Sequence, residues 1–280
     1  MDALQSPIIS CAELAILLNT PSLIILDASI KPVAGFNASE HQWPNYVISG
    51  ARRFDIDDTF SDQSASLPHT MPKPEQFASS LRELGIENDS MVVVYDSYGL
   101  FSAARAWWML KSMGIDNVRV LDGGLPAWIK FGGTVESASK IEVRRSDFKA
   151  NFKAEYFTDK HHLLEKLSVD EVAILDARSP DRFFGRVPEP REGLRSGHMP
   201  NAHNVPFSSL LDDTGLLKSR EALTNILQPK LDKTSEVITT CGSGITACVI
   251  SLALAVIGVK SKVYDGSWSE WGADEVLPIE

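Results

Sequence analysis

The sequence predicts an α/β protein of two tandem domains, each a mainly parallel sheet with helices on both faces. Three observations lead there. Four short motifs occur twice, in the same order, their first residues separated by 143 to 151 positions. Within each copy, short β-branched runs alternate with helical segments, the pattern of strand–helix–strand units. The chain's 280 residues, 44% of them hydrophobic, are enough for two ordinary cores.

The repeated motifs place the elements. Leu26-Asp27-Ala28-Ser29 closes an apolar, strand-like run, and Leu175-Asp176-Ala177-Arg178 does the same in the second half. Ser49-Gly50-Ala51 through Phe54 answers Pro200-Asn201-Ala202 through Phe207. The strand-like run from Met91 to Asp96 answers Val237 to Cys241. Last, Val120-Leu121-Asp122-Gly123-Gly124 with Trp128 answers Val263-Tyr264-Asp265-Gly266-Ser267 with Trp271. In the second half, strands are expected at Val172–Leu175, Val237–Thr240 and Lys262–Tyr264, with helices at Arg220–Leu227 and from Thr246. The charged stretch from about Thr134 to Phe157 lacks periodicity, so domains are assigned to 1–135 and 157–280 with a linker at 136–156.

Bulk properties exclude several functions. A net charge of -10 without any basic run argues against nucleic-acid binding. The longest apolar run, Thr246 to Val259, is too short to span a bilayer. Cys11, Cys241 and Cys248 are an odd count and a poor disulfide framework, which suits a reducing compartment. Met1 to Leu18 lacks the pattern of a secretory signal, and the expectation is a soluble cytoplasmic protein. No Cys/His cluster has metal-ligand spacing, and Gly242-Ser243-Gly244 lacks the third glycine of a dinucleotide fingerprint. No cofactor is expected.

The halves differ at one position. After its central strand the second half has Cys241-Gly242-Ser243-Gly244-Ile245-Thr246 and then a helix, whereas the first half has Asp96 and a longer loop. A strand, a glycine-containing loop and a helix N-terminus form an anion-binding arrangement of backbone N–H groups and helix dipole. A cysteine at the first position of that loop is held largely as thiolate, a nucleophile. Cys248 in the apolar helix and Cys11 near the N-terminus read as structural. A phosphatase of the Cys-x5-Arg type is excluded, because Ala247 stands where the arginine belongs.

Cys241-Gly-Ser-Gly-Ile-Thr-Ala-Cys248 resembles the active-site loop of the rhodanese superfamily's two-domain 3-mercaptopyruvate sulfurtransferases. So do Tyr264-Asp265-Gly266-Ser267-Trp268-Ser269-Glu270-Trp271, Pro188-Glu189-Pro190-Arg191 and Gly197-His198-Met199-Pro200-Asn201-Ala202. Phe54-Asp55-Ile56-Asp57 and Arg105-Ala106-Trp107-Trp108 fit that family's inactive first domain. Two departures fall at turns: Val47-Ile48-Ser49-Gly50-Ala51 where His-Ile-Pro-Gly-Ala is commoner, and Asn201 where glycine is usual.

The resemblance implies a ping-pong sulfur transfer through a Cys241 persulfide, from a small-molecule donor to a thiol acceptor such as thioredoxin or a small thiol, or to cyanide. It also suggests a monomer. Arg182 and Arg191 match the family's donor-binding arginines, and Gly242, Gly244, Ile245 and Thr246 complete the binding loop. Ser243, His69 and Asp57 match a proton relay. Arg178 and His198 read instead as fold residues. Thiosulfate-specialised members carry basic residues after the cysteine; the neutral Gly242-Ser243 pair points to mercaptopyruvate. Two alternatives remain, a thiosulfate sulfurtransferase and a non-catalytic sulfur-binding or regulatory module. The loss of the first half's cysteine suggests that this half supplies a wall of the cleft.

Overall fold

A computed structural model describes residues 6–30, 46–139, 141–169, 171–232 and 234–280. The first half runs β1 (Ile8–Ile9), α1 (Cys11–Leu17), β2 (Leu23–Asp27), β3 (Tyr46–Ile48), β4 (Arg52–Arg53), α2 (Pro74–Glu83), β5 (Met91–Tyr95), α3 (Ala103–Ser112), β6 (Val118–Leu121), α4 (Gly124–Phe131) and β7 (Val135–Ser137). The second runs β8 (Phe157–Thr158), α5 (Lys160–Lys166), β9 (Val172–Asp176), α6 (Pro180–Phe183), β10 (Ala202–Asn204), α7 (Arg220–Leu227), β11 (Glu236–Thr240), α8 (Ala247–Ile257), β12 (Lys262–Tyr264) and α9 (Ser267–Trp271).

The duplication seen in the motifs is a duplication of topology. One sheet has the order β1-β6-β5-β2-β4 and the other β8-β12-β11-β9-β10, both wholly parallel. The middle strands are β5 and β11, so Asp96 and Cys241 each follow the carboxyl end of a central strand. Open α/β sheets form their binding crevices at that end. The strands and helices expected in the second half match these elements to within one residue.

Burial explains why α3 and α8 are apolar nearly all round. Ala103 to Leu110 of α3 and Ala247 to Leu254 of α8 are buried without a break. Each helix covers its own sheet on one side and meets the other helix across the domain boundary on the other. A single core cluster therefore runs through both halves, from Ile24 to Phe148 and from Ala173 to Val263. Smaller clusters under α1 and α4, and under α5 and α9, fill the outer faces.

A reciprocal clasp reinforces that interface. The carboxylate of Asp122 accepts the Leu217 N–H at 2.8 Å, and that of Asp265 accepts the Met71 N–H at 2.8 Å. These aspartates are the same residue of the repeated Asp-Gly motif, so each half holds a loop of the other by the same device. The stretch between the halves is laced to the first one. β7 pairs antiparallel with β3, Phe148 is buried, and Ser146 Oγ donates to the Ile86 carbonyl at 2.6 Å.

Asn201 stands where the first half has Gly50, and both adopt the left-handed conformation, with φ of 60° and 77°. Asparagine tolerates that region better than other non-glycine residues. Its side-chain amide also donates to the Leu167 carbonyl at 2.6 Å. Replacing Asn201 by Gly or by Val removes this hydrogen bond in both cases. Only valine must then force a β-branched side chain into the left-handed region. Asn201→Val is expected to be less stable than Asn201→Gly by about 1–2 kcal/mol in urea unfolding.

Candidate active site

The site is built around the loop that follows β11. Cys241 is 2% exposed and lies in a cleft of about 630 Å³. The carbonyls of Cys241 and Gly242 accept the N–H groups of Trp268 and Ser269, each at 2.9 Å, and the Ser269 hydroxyl also donates to Gly242 at 2.6 Å. The Cys241 N–H donates to Ser267 Oγ at 3.3 Å. The next five N–H groups, Gly242 to Thr246, have no protein acceptor among the described residues. With the N-terminus of α8 behind them, they make a cradle for negative charge at the sulfur.

The first half shows the same cradle already filled. Asp96, wholly buried, accepts the N–H of Phe101, Ser102 and Ala103 on one carboxylate oxygen, at 2.7, 2.9 and 2.8 Å. Its other oxygen accepts the Tyr98 N–H at 2.9 Å. Burial pushes the Asp96 carboxyl up from its ordinary range, while the four donors pull it down. Four donors around one carboxyl fit the ionised form, because a protonated group would need an acceptor. An internal anion thus occupies in one half the place that sulfur takes in the other.

The loop carrying His69 crosses from the first half into the cleft. His69 Nδ1 lies 3.0 Å from Ser243 Oγ, and Nε2 lies 3.1 Å from Asp57 Oδ1. With Asp57 ionised, Nε2–H donates to it, leaving Nδ1 to accept the Ser243 hydroxyl proton. His69 holds φ of 58°, a strained value for a non-glycine residue. Asp57 lies behind His69, outside the cleft wall. Ile30 and Phe101, also from the first half, complete that wall.

The two expected arginines line the cleft with different commitments. Arg182 is engaged by Glu189 through Nε at 3.2 Å and Nη2 at 2.5 Å. Glu189 also takes Arg178 at 3.1 Å, and Arg178 in turn is bonded to Asp176 and lies over the Trp268 ring. Arg178 is therefore a buried structural cation that also forms part of the cleft wall. Arg191 has no ion pair among the described residues, its one side-chain hydrogen bond being to Ser269 Oγ at 3.4 Å. Burial lowers its pKa, neighbouring Arg182 lowers it further, and the charges of Cys241 and Glu189 oppose them. Its guanidinium keeps most of its hydrogen-bonding capacity among the described residues.

Gly242, Ile245 and Thr246 line the cleft as expected from the loop, but Gly244 does not. Its φ of 79° turns the chain, and a Cβ there would meet the Asp265 carbonyl at 3.0 Å and Arg105 at 3.1 Å. Gly244 shapes the loop. A Cβ on Gly242 would come 3.0 Å from Arg182 Nη2, so that glycine makes room for the guanidinium. His198 stacks on Phe183 at 3.9 Å, away from the chemistry. Glu189 was legible only as a letter of Pro-Glu-Pro-Arg; nothing in the sequence marked it as the partner of two arginines. Among the described residues, no group of His, Cys, Asp or Glu could hold a metal ion, and no helix is long and apolar enough to cross a membrane.

Cys248 sits in the first turn of α8, wholly buried, donating to the Gly244 carbonyl at 3.3 Å. Burial pushes its thiol up to about 12. At neutral pH it stays protonated and inert. Iodoacetamide is expected to modify Cys241 more than about tenfold faster than Cys248 in the folded protein, as read by peptide mapping.

Known proteins share this architecture. The sequence profile of the Rhodanese-like domain matches residues 10–131 and 159–274. The chain is 40% identical over 266 residues to the 3-mercaptopyruvate sulfurtransferase of Escherichia coli (strain K12), covering 94% of each. It is 36% identical over 298 residues to the mitochondrial thiosulfate/3-mercaptopyruvate sulfurtransferase 1 of Arabidopsis thaliana, covering 99% of this chain and 78% of that one. The crystal structure of SseA from Escherichia coli, a 3-mercaptopyruvate sulfurtransferase, superposes with a TM-score of 0.81 at 37% identity, covering 95% of this chain and all of that one. With the profile matched twice and the relatives aligned almost end to end, the chain belongs to the rhodanese family and carries that family's domain in two copies.

Proposed function

We propose that the protein is a 3-mercaptopyruvate sulfurtransferase with Cys241 as its sulfur-carrying nucleophile. The observation that carries this reading is Cys241 buried at a cradle of five unanswered N–H groups, with the Ser243–His69 pair beside it. In the first half-reaction the Cys241 thiolate attacks the donor's sulfur. The carbon–sulfur bond breaks, its electron pair passes into the pyruvate enolate, and Cys241 becomes a persulfide. Arg191, with Arg182 next to it, holds the donor's carboxylate in a fork of N–H donors.

The enolate must gain a proton on carbon to leave as pyruvate. Ser243 Oγ, hydrogen-bonded to His69 Nδ1, is placed to relay it: the proton released by the donor's thiol passes through the hydroxyl to Nδ1 and returns through it to carbon, while Asp57 holds Nε2–H. The cradle stabilises the thiolate before the transfer and the persulfide anion after it, so its donors need not reorganise between the two. In the second half-reaction an acceptor thiolate attacks the outer sulfur, and Cys241 leaves as thiolate. Cyanide accepts in the same way. The reading extends to a monomer working in the cytoplasm, with a small thiol or a thioredoxin-type protein as acceptor. The three free cysteines fit a reducing compartment.

Thiosulfate is the second reading, favoured by the arginine-rich wall. Against it stand the neutral Gly242 and Ser243 and the engagement of Arg182 and Arg178 by Glu189. These leave one uncommitted guanidinium for a dianion.

Intact mass after brief exposure to each donor separates the readings. The reduced protein is expected to gain one sulfur atom from mercaptopyruvate, and Cys241→Ser to gain none. A gain from thiosulfate alone would move the activity to the second donor. No gain from either would leave a sulfur-binding or regulatory module.

A further inference from the structure

Arg105 and Asp265 lie outside the cleft lining, yet they grip both loops that enter it. Arg105, on α3 of the first half, has no exposed surface. Its Nη1 stands 2.7 Å from Asp265 Oδ1 of the second half. Nη2 donates to the His69 carbonyl at 2.7 Å, and Nη1 to the Gly244 carbonyl at 3.4 Å. Asp265 uses its other oxygen to accept the Met71 N–H. One ion pair thus holds the backbone at His69, two residues beyond it, and within the nucleophile loop.

That grip answers a need. A non-glycine residue at φ of 58° is strained and persists only where its surroundings enforce it. A buried ion pair is itself weak evidence for stability, since its desolvation offsets its attraction. The repeated architecture supplies an internal comparison. Asp122 makes the same clasp to Leu217 in the other direction, but the third residue of α8, where α3 has Arg105, is Val249. The clasp alone serves both halves, and the guanidinium is present only where a histidine must be aimed.

We propose that Arg105 and Asp265 are the positioning pair of the relay, setting His69 Nδ1 onto Ser243 Oγ across the domain boundary. The inference rests on the mercaptopyruvate reading, because the relay serves the protonation of the enolate. It goes beyond that reading in making a cross-domain ion pair a condition for proton delivery.

The test is a double-mutant cycle on steady-state turnover of mercaptopyruvate, with wild type, Arg105→Lys, Asp265→Asn, His69→Asn and the pair His69→Asn/Arg105→Lys. Arg105→Lys keeps a cation opposite Asp265, so the cycle does not depend on the Asp265 variant folding. The positioning variants are expected to lower kcat about tenfold or more, with KM changed less than about twofold. The pair is expected to be no slower than His69→Asn alone, since both act through one histidine. Cys241 alkylation by iodoacetamide is expected to keep its wild-type rate. Losses that multiply in the pair, or alkylation that slows in step with turnover, would overturn the proposal. A wild type that takes no sulfur from mercaptopyruvate would instead sink the functional reading; a wild type that does, with an additive cycle, defeats only the positioning role.

Discussion

A run of backbone N–H groups at the start of a buried helix needs acceptors and favours negative charge among them. The chain meets this requirement twice, by different means. In the first half Asp96 brings a permanent carboxylate to four such donors. In the second half nothing among the described residues answers Gly242 to Thr246, and a cysteine sulfur stands at the head of the loop. The chemistry follows from that difference. An anion supplied by an aspartate is fixed, whereas one supplied by sulfur would, in the proposed reaction, be a thiolate, then a persulfide, and then a thiolate again.

The remaining features limit what reaches that sulfur. Glu189 ties Arg178 and Arg182 together at the cleft wall, leaving Arg191 as the cation with unspent hydrogen-bonding capacity. Burial makes that one charge count for more than a surface arginine would. His69 and Asp57 come from the opposite side, from the half that has Asp96 in place of the cysteine. Neither half holds a complete set of groups, and the shared face of α3 and α8 brings the two sets together.

Much of this could be read in the letters of the chain. The repeated motifs gave the paired sheets, because each motif takes the same place in the strand order of its half. The loop from Cys241 to Thr246 was legible because its chemistry is local: strand end, glycines, helix start. The roles of Glu189, Arg105 and Asp265 were not, since they depend on partners that only the fold brings close. Met71 and Asp265 are 194 residues apart in sequence, and Arg105 and Gly244 are 139 apart. The surroundings of Gly244 were hidden for a related reason: its loop was legible, but no local pattern announces the Arg105 and Asp265 that close on it.

The apolar surface of α3 has a consequence for the order in which the chain is made. During synthesis the first half leaves the ribosome with Ala103 to Leu110 already present, while α8, which covers that helix, begins more than a hundred residues later. Until α8 arrives, the nascent first half carries an uncovered hydrophobic flank and an Asp122 carboxylate still without its Leu217 partner. Chaperone attention is therefore expected to concentrate on that interval of translation, and the last third of the chain acts as the lid that ends it.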